Sequence, residues 1–260
     1  MSRTDRIIGL ARSLLVYHAI PWRQRRMQRL YRQFAPPGAL VFDIGAHVGN
    51  RARALAALGC RVIALEPQPD FARVLRLLFG RNPQVEVVEA AVTGAGGEVW
   101  LSVSERTPTV STTASAWRDA RAREPGFGGV EWNRRIRVRT VTADALIAQY
   151  GRPAFVKIDV EGGEPAVLDG LTMAVPALSF EYLPGAIDEV RACVDRLAAL
   201  AHSAPAEAGL KACSYEYNWS VGESYELASP EWLDASGIVT ALAALDSGAR
   251  SGDVYARLRT

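Results

Sequence analysis

From residue 39 onwards, the chain alternates short apolar segments with segments of helical periodicity, and this alternation constrains its fold more than any other feature. The apolar segments are too short to be buried helices, which favours strands. The alternation of these segments predicts strands over 40–46, 61–67 and 85–92, with helices over 51–59 and 70–80 between them. Short apolar strands separated by helices are typical of a parallel sheet that helices cover on both faces.

The alternation is interrupted after the third strand and then resumes. Segments 98–104 and 135–141 alternate like strands, and between them lies a polar segment, 105–134. A segment of that length within a compact domain is usually functional, so we interpret it as an inserted substrate-binding or lid loop. The elements predicted beyond it are a strand over 153–160, a helix over 163–170, a strand over 177–183, a helix over 186–200, and an antiparallel pair of strands over 213–219 and 253–258.

Residues 1–38 differ from the rest in charge, and we interpret them as an N-terminal helical arm preceding one α/β domain over 39–260. The arm carries eight arginines against one acid, Asp5, which gives it a net charge of +7. The whole chain has a net charge of only +2, which leaves −5 for the domain and argues against a nucleic-acid-binding protein. Apolar spacing predicts a first helix in the arm and a second from Trp22 to Phe34.

The first residues also bear on the predicted compartment. Arg12 and His18 interrupt the apolar stretch that a signal peptide would need, and Pro21 follows with no small-residue cleavage site. No apolar run reaches the roughly 18 residues that a transmembrane helix requires. The three cysteines are far apart, so neither a disulfide framework nor a zinc site is indicated. We therefore expect a cytoplasmic protein.

The first predicted strand ends in the turn D-I-G-A-H-V-G-N, residues 43–50, which leads into a helix. Gly45 permits a tight turn and the close approach of a ligand, and the helix N-terminus offers free N–H groups. A nicotinamide dinucleotide fingerprint would have glycine in place of Asp43, whose carboxylate repels pyrophosphate but suits a cation such as the amino group of S-adenosylmethionine. The second predicted strand ends in Glu66, 21 residues beyond Gly45, where an acid can accept hydrogen bonds from ribose hydroxyls.

The most informative segment is K-I-D-V-E-G-G-E, residues 157–164, at the end of a predicted central strand. Because side chains alternate along a strand, Lys157, Asp159 and Glu161 are expected to share one face, where charges must be paired or used. Lys157 is one of only two lysines among 30 basic residues, which indicates a place where a planar guanidinium does not fit. The alternative is a buried ion pair that only orders the strand. Glu181 ends the next strand and is a candidate general base if burial raises its pKa.

Taken in order, D-I-G-A-H-V-G-N, L-E-P, E-A-A-V and K-I-D-V-E-G-G-E resemble the motifs of the FkbM-type methyltransferases. The resemblance covers roughly residues 38–200. It implies a Rossmann-like fold with a mostly parallel sheet of seven strands and S-adenosylmethionine as the cofactor. It also implies methyl transfer, commonly to a hydroxyl of a sugar or a natural product.

The resemblance further implies the residues that bind the cofactor. The methionine part would lie against Asp43, Gly45, Gly49 and Asn50, the ribose would be held by Glu66, and the adenine would be flanked by Glu89, Ala90 and Ala91. Asp159 would face the methionine amino group or the site of methyl transfer. The matched motifs add the cofactor-binding candidates Ala46, His47 and Pro67. Ser111 is a further candidate, because Ser111-Thr112 resembles a Ser-Thr element that follows the strand hairpin in this family and contacts cofactor or substrate. His47 stands where relatives usually carry asparagine, which leaves it as a turn residue, a cofactor contact or a base.

Methyl transfer to a hydroxyl benefits from a general base. The catalytic candidates are Asp159, Glu181 and His47, and Glu161 is a further candidate of lower rank. No cluster of histidines or cysteines suggests a metal site, and we predict none. Asp159, Glu161 and Glu181 nevertheless have the oxygen ligands that a hard cation accepts. The predicted partner is a small molecule with a hydroxyl group.

Two other functions fit parts of this pattern. An NAD-dependent oxidoreductase has a similar fold, but Asp43 disfavours it. A non-catalytic protein would use the basic arm to dock on an anionic membrane surface or an acidic partner. For the arm itself, the favoured interpretation is a helical pair that covers the sheet edge or the substrate cleft. A homodimer is left open.

Overall fold

A computed structural model of the chain describes residues 8–10, 12–13, 21–203, 213–246 and 248–259. The strands of its central sheet are β1 Leu40–Ile44, β2 Arg61–Leu65, β3 Val85–Val88, β7 Phe155–Ile158, β8 Ala177–Tyr182, β9 Ser214–Val221 and β10 Gly252–Arg259. They lie in the order β3-β2-β1-β7-β8-β10-β9, and β10 runs antiparallel to both of its neighbours while the other pairs are parallel. The predicted mostly parallel sheet of seven strands and its final antiparallel pair are confirmed.

A smaller sheet contains β4 Ala91–Val92, β5 Gly97–Val103 and β6 Arg134–Val141, in the order β4-β6-β5. The single strand predicted over 85–92 is therefore wrong, because its two halves belong to different sheets. Pairing of β3 with β2 ends at Val88, and Ala91 pairs instead with Thr140 of β6. The strands predicted over 98–104 and 135–141 are confirmed, and β5 and β6 pair antiparallel on either side of 105–134.

The described helices are α1 Pro21–Tyr31, α2 Asn50–Ala57, α3 Pro69–Phe79, α4 Ser115–Arg121, α5 Ala143–Tyr150, α6 Glu164–Asp169, α7 Ile187–His202 and α8 Ala235–Ala243. Helices cover both faces of the central sheet because strand residues alternate between two apolar cores. Val41 and Phe155 pack into the core shared with α1, α2 and α3, whereas Phe42 and Ile158 pack into the core shared with α5, α6, α7 and α8. The predicted α/β class is confirmed. None of the described helices is long and apolar enough to cross a membrane.

Helix α1, which corresponds to the second predicted helix of the arm, packs directly on the sheet. Met27 and Leu30 are buried in the same core as β1, and the ring of Phe34 stacks on those of Phe155, at 5.3 Å, and Tyr255, at 5.4 Å. The first predicted helix lies mostly outside the described residues. Helix α1 therefore covers one face of the sheet, and its first turn reaches the edge where α2 begins, since Gln24 Nε2 donates to the carbonyl oxygen of Asn50 at 3.1 Å.

Segment 105–134, predicted as a loop, contains helix α4 and short 3₁₀ turns at Pro108–Val110 and Pro125–Phe127. The ring of Trp117 in α4 is buried and lies edge-on to those of Phe127, at 5.7 Å, and Trp132, at 6.3 Å. This aromatic cluster gives the segment a core of its own. The prediction that 105–134 is a loop is therefore wrong in part, because the segment contains a helix.

Candidate active site

A cavity with about 840 Å³ of space, part of it open to solvent, lies at the carboxyl ends of β1, β2 and β7. This edge of an open α/β sheet is where ligands bind. The turn after β1 and the ends of β2 and β7 form one wall, and the inserted segment forms the other. The cavity is lined by Ile44, Gly45, Ala46, His47, Asn50, Arg51, Glu66, Pro67, Gln68, Ala90, Ala91, Val92, Leu101, Pro108, Thr109, Ser111, Thr113, Asp159, Val160 and Glu161.

The turn after β1 brings two strand ends into close contact at this cavity. Gly45 donates its N–H to the carbonyl oxygen of Leu65, at 2.9 Å, and has a φ of 82°, in the left-handed region that favours glycine. A Cβ at this position would overlap the carbonyl oxygen of Asp159. Glycine therefore allows the turn to approach β7 so closely that Asp159 lies beside it on the cavity wall.

Glu66 is a buried acid that the surrounding backbone holds in place. Its carboxylate accepts hydrogen bonds from the N–H groups of His47, at 2.9 Å, and Gln68, at 2.8 Å. Burial raises the pKa of Glu66 to about 7, although these hydrogen bonds oppose the rise. His47 donates from a left-handed conformation with a φ of 50°, which histidine adopts more readily than most residues. Because each carboxylate oxygen can accept a second hydrogen bond, Glu66 can receive two hydroxyl groups of a ligand.

Lys157 anchors a buried group of charges beneath the cavity. Its side chain is fully buried, its ammonium donates to Asp253 Oδ1 at 2.9 Å, and Nζ lies 3.3 Å from Asp159 Oδ2. Burial alone lowers the pKa of Lys157, but the two carboxylates outweigh burial and the net shift is upward. Lys157 is therefore held in its charged form and fixes the position of Asp159.

Arg51, in the first turn of α2, contacts the same carboxylates from the other side. Its Nη2 lies 3.6 Å from Asp159 Oδ2, 3.6 Å from Asp253 Oδ2 and 4.0 Å from Glu223 Oε1. Burial lowers the pKa of Arg51, but the acidic groups around it more than reverse this effect. Asp159 is thus held between two cations.

Asp159, Glu161 and Glu181 form an acidic cluster in which one carboxylate oxygen of each lies within 4.8 Å of the others. Desolvation raises the pKa of Asp159, but Lys157 and Arg51 lower it, and the net shift is downward. The pKa values of Glu161 and Glu181 lie well above their ordinary range because of desolvation and because neighbouring carboxylates repel further negative charge. The acidic cluster therefore combines one acid whose ionised form is stabilised with two whose protonated forms are favoured. Such oxygens can orient a hydroxyl and exchange a proton with it, and they are also the ligands that hard cations accept.

The inserted segment is tied to the end of β7 that carries the acidic cluster. Thr112 Oγ1 donates to the backbone carbonyl of Glu161 at 2.7 Å. The ring of Trp117 packs against Gly162, where a Cβ would overlap the indole. These contacts hold the wall formed by the inserted segment close to the acids.

Residues 43–198, more than half of the chain, match a protein family described as the methyltransferase FkbM domain. The chain belongs to the FkbM methyltransferase family. This confirms the resemblance on which the sequence interpretation rests, and it makes the chain a member of a family of methyltransferases.

The individual proteins that resemble this FkbM-family chain share only a small part of its sequence. It is 26% identical over 187 residues to hexuronic acid methyltransferase AglP of Haloferax volcanii, and the match covers 67% of each chain. Among solved structures, an O-methyltransferase from Bacillus cereus in complex with SAH is 16% identical, with a TM-score of 0.45 and coverage of 96% of this chain and 90% of that one. A precorrin-6Y C5,15-methyltransferase from Geobacter metallireducens is 12% identical, with a TM-score of 0.42 and coverage of 90% and 86%.

Most cofactor contacts implied by the FkbM resemblance lie on the cavity. These are Gly45, Ala46, His47, Asn50, Glu66, Pro67, Ala90, Ala91, Ser111 and Asp159. The other three lie beside it: Asp43 is buried next to Lys157 on the neighbouring strand, Gly49 packs against α3, and Glu89 forms an ion pair with Arg76 at 2.8 Å. Burial raises the pKa of Asp43 to about 6. Asp43 thus belongs to the buried charges beneath the cavity of this FkbM-family chain.

Sequence reasoning missed Arg51 and Asp253 in this FkbM-family site. Arg51 directly follows the motif of residues 43–50, but nothing in the sequence distinguishes it from the other 27 arginines. Asp253 lies 96 residues from Lys157 along the chain. The signal that points to Asp253 is charge balance, because a lysine on a central strand needs a buried acid on a neighbouring element.

Proposed function

We propose that this chain is an S-adenosylmethionine-dependent O-methyltransferase that acts on a hydroxyl of a sugar or another small natural product. The acidic cluster at the edge of the cavity carries the proposal, because a hydroxyl must be oriented and lose its proton as the methyl group is transferred. The similarity to a protein named hexuronic acid methyltransferase supports a sugar as the acceptor.

The residues of the cavity fit this cofactor. Glu66 can accept hydrogen bonds from two ribose hydroxyls, and the ionised Asp159 suits the methionine ammonium or the positive charge near the reacting carbon. Ala90, Ala91 and Leu101 offer apolar surface to the adenine. When bound, S-adenosylmethionine supplies a methyl group that is already activated on a sulfonium.

The chain itself positions the acceptor and manages its proton. Lys157 and Arg51 fix Asp159, so that its carboxylate orients the acceptor hydroxyl or the cofactor without changing its own charge. The pKa values of Glu161 and Glu181 are raised, so once either carboxylate is ionised it is a stronger base than an ordinary acid and can take the hydroxyl proton. The inserted segment, held over Glu161 by Thr112, serves as a lid that keeps water from the reacting groups.

S-Adenosylhomocysteine is expected to stabilise the protein against heat, whereas NAD is not. A ligand present at 100 times its Kd stabilises the folded state by about 2.7 kcal/mol, which raises the Tm of a chain of this size by about 5–10 °C. Differential scanning fluorimetry with each ligand measures the shift. An equal shift with NAD, or none with S-adenosylhomocysteine, would contradict the proposed cofactor.

Binding of S-adenosylhomocysteine is expected to tighten as the pH rises from about 6 to about 8, through the pKa of Glu66 at about 7. The reason is that the ionised carboxylate accepts both ribose hydroxyls, so binding favours loss of its proton. Glu66→Gln should weaken binding about tenfold at high pH, in line with the loss of charge-assisted hydrogen bonds, and should remove most of the pH dependence. Isothermal titration calorimetry at several pH values measures both effects. Glu86→Gln, an exposed carboxylate outside the cavity, is the matched control, and a pH dependence that survives in Glu66→Gln would refute the role of Glu66.

A further inference from the structure

A second cleft, of about 690 Å³, opens near the cavity and has no part in the proposed chemistry. It lies between the first turn of α1, the loop after β9 and the residues that precede β10. We call it the basic cleft, and it is lined by Trp22, Arg23, Arg26, Glu223, Ser224 and Arg250.

The topology places the basic cleft at the same edge of the sheet as the acidic cluster. Strand β9 runs parallel to β8, so its carboxyl end meets that of β8, and the antiparallel β10 begins at this edge. Helix α1 is fixed there as well, since Gln24 Nε2 donates to the carbonyl oxygen of Asn50 at 3.1 Å. A ligand that occupies the cleft therefore lies on the same edge as the cavity.

The side chains of Glu223 and Arg51 lie between the basic cleft and the cavity. Glu223 lines the cleft, and its Oε1 lies 4.0 Å from Nη2 of Arg51. The same nitrogen lies 3.6 Å from Oδ2 of Asp159, and Arg51 also lines the cavity. A molecule the size of a sugar derivative can thus contact the cleft at one end and the acidic cluster at the other.

The basic cleft carries an excess of positive charge. Three of its six lining residues are arginines and one is an acid, Glu223. Arg23 and Arg26 belong to the basic arm, whereas Arg250 belongs to residues 39–260, which carry a net charge of −5. Guanidinium groups bind carboxylates and phosphates through paired hydrogen bonds, so converging arginines are typical of sites for such groups. The cleft is therefore complementary to an anion.

Two further features suit a sugar that carries this anion. Trp22 is 65% exposed at the cleft and offers an aromatic face on which an amphipathic ring can pack. The guanidinium of Arg250 lies against Gly222, where a Cβ would come within 2.8 Å of its Nη2, so the backbone leaves room for this arginine beside Glu223. The carboxylate of Glu223 can accept hydrogen bonds from sugar hydroxyls.

We infer that the basic cleft binds an anionic group of the methyl acceptor, which is therefore a saccharide bearing a carboxylate or a phosphate. This inference rests on the proposed function, because it assigns the cleft to the acceptor of that reaction. The anionic group lies between Arg26 and Arg250 while a hydroxyl reaches the acidic cluster past Arg51. A membrane surface fits less well, because these arginines line a concave cleft, whereas docking on a membrane needs charges on an open face.

Isothermal titration of the full chain, first with S-adenosylhomocysteine and then with glucuronate, glucose 6-phosphate or glucose, tests this inference. At least one of the two anions is expected to bind about tenfold or more tightly than glucose, in line with the strength of charge-assisted hydrogen bonds. The double variant Arg26→Gln/Arg250→Gln should lose this preference and keep the Kd for S-adenosylhomocysteine. The matched control Arg29→Gln/Arg32→Gln removes the same charge from exposed positions outside the cleft and should keep the preference.

Equal binding of the anions and glucose, including no binding of any of them, would overturn the inference, as would a cleft variant that behaves like the control. A preference for glucuronate alone identifies a carboxylate, and one for glucose 6-phosphate alone identifies a phosphate. Sedimentation with vesicles of anionic phospholipid that falls equally in both double variants, without any sugar preference, would assign the arginines to a membrane instead. If the wild type does not bind S-adenosylhomocysteine at all, the result contradicts the proposed function and not the assignment of the basic cleft. The single variant Arg250→Gln replaces the double variant if the latter unfolds.

Discussion

Replacing Lys157 with methionine is expected to lower the free energy of unfolding by about 3–5 kcal/mol, the range observed when one partner of a buried ion pair is removed. Lys157 is fully buried between Asp253 and Asp159, and Asp43 lies next to it in register on β1. Without the ammonium, Arg51 alone would neutralise the buried Asp253 and Asp43 together with Asp159 on the cavity wall.

Urea denaturation of the purified variant, followed by circular dichroism, measures this loss. The surface variant Arg137→Met is the control, because it breaks the exposed ion pair with Glu98 and should cost less than about 1 kcal/mol. The double variant Lys157→Met/Asp253→Leu should recover part of the stability, since both partners of the 2.9 Å contact are then removed. A loss for Lys157→Met no larger than that for Arg137→Met would show that the buried charges do not depend on the lysine.

The main sheet could be predicted from the sequence because its strands are short, apolar and separated by helices. The break between β3 and β4 could not, since the apolar pattern of 85–92 continues across it. Tertiary pairing determines where β3 ends. Val88 is the last residue that pairs with β2, and Ala91 pairs with β6, more than 40 residues away along the chain. Helix α4 was hidden for a similar reason, because the aromatic rings that order it come from separate parts of the inserted segment.

The candidate site was predictable where a motif fixes the backbone. Gly45 and Glu66 stand at strand ends, and the parallel order of the sheet brings such ends together. The surroundings of Lys157 were not predictable in the same way, because Asp253 reaches it from the last strand of the chain and Arg51 from a helix. Asp43 illustrates the limit: a motif places it at the right strand, but the pleat of β1 turns its side chain towards the buried charges.

Glu181→Gln is expected to lower kcat by about 10²-fold or more, the usual contribution of a general base, and to leave the Kd of S-adenosylhomocysteine unchanged. Glu181 lies in the acidic cluster but does not line the cavity, so its loss should affect the acceptor proton rather than the cofactor. In the wild type, kcat should rise with pH as Glu181 loses its proton, because the raised pKa of Glu181 keeps it protonated at lower pH. The variant should lack this rise. Initial rates of methyl transfer to the best wild-type acceptor in a panel of sugars, measured across pH, give both quantities.

Asp159→Asn separates the two roles, because Asp159 belongs both to the cluster and to the cavity wall. This substitution should lower kcat and also weaken the binding of S-adenosylhomocysteine. The control Asp188→Asn changes an exposed acid at the start of α7 and should alter neither quantity. If Glu181→Gln and Asp159→Asn both keep near-wild-type turnover, the acids do not assist the reaction. Holding the hydroxyl in line with an already activated methyl group would then account for the rate by proximity alone. A fall in kcat that is confined to Glu181→Gln would instead assign proton transfer to Glu181 and leave Asp159 a purely electrostatic role.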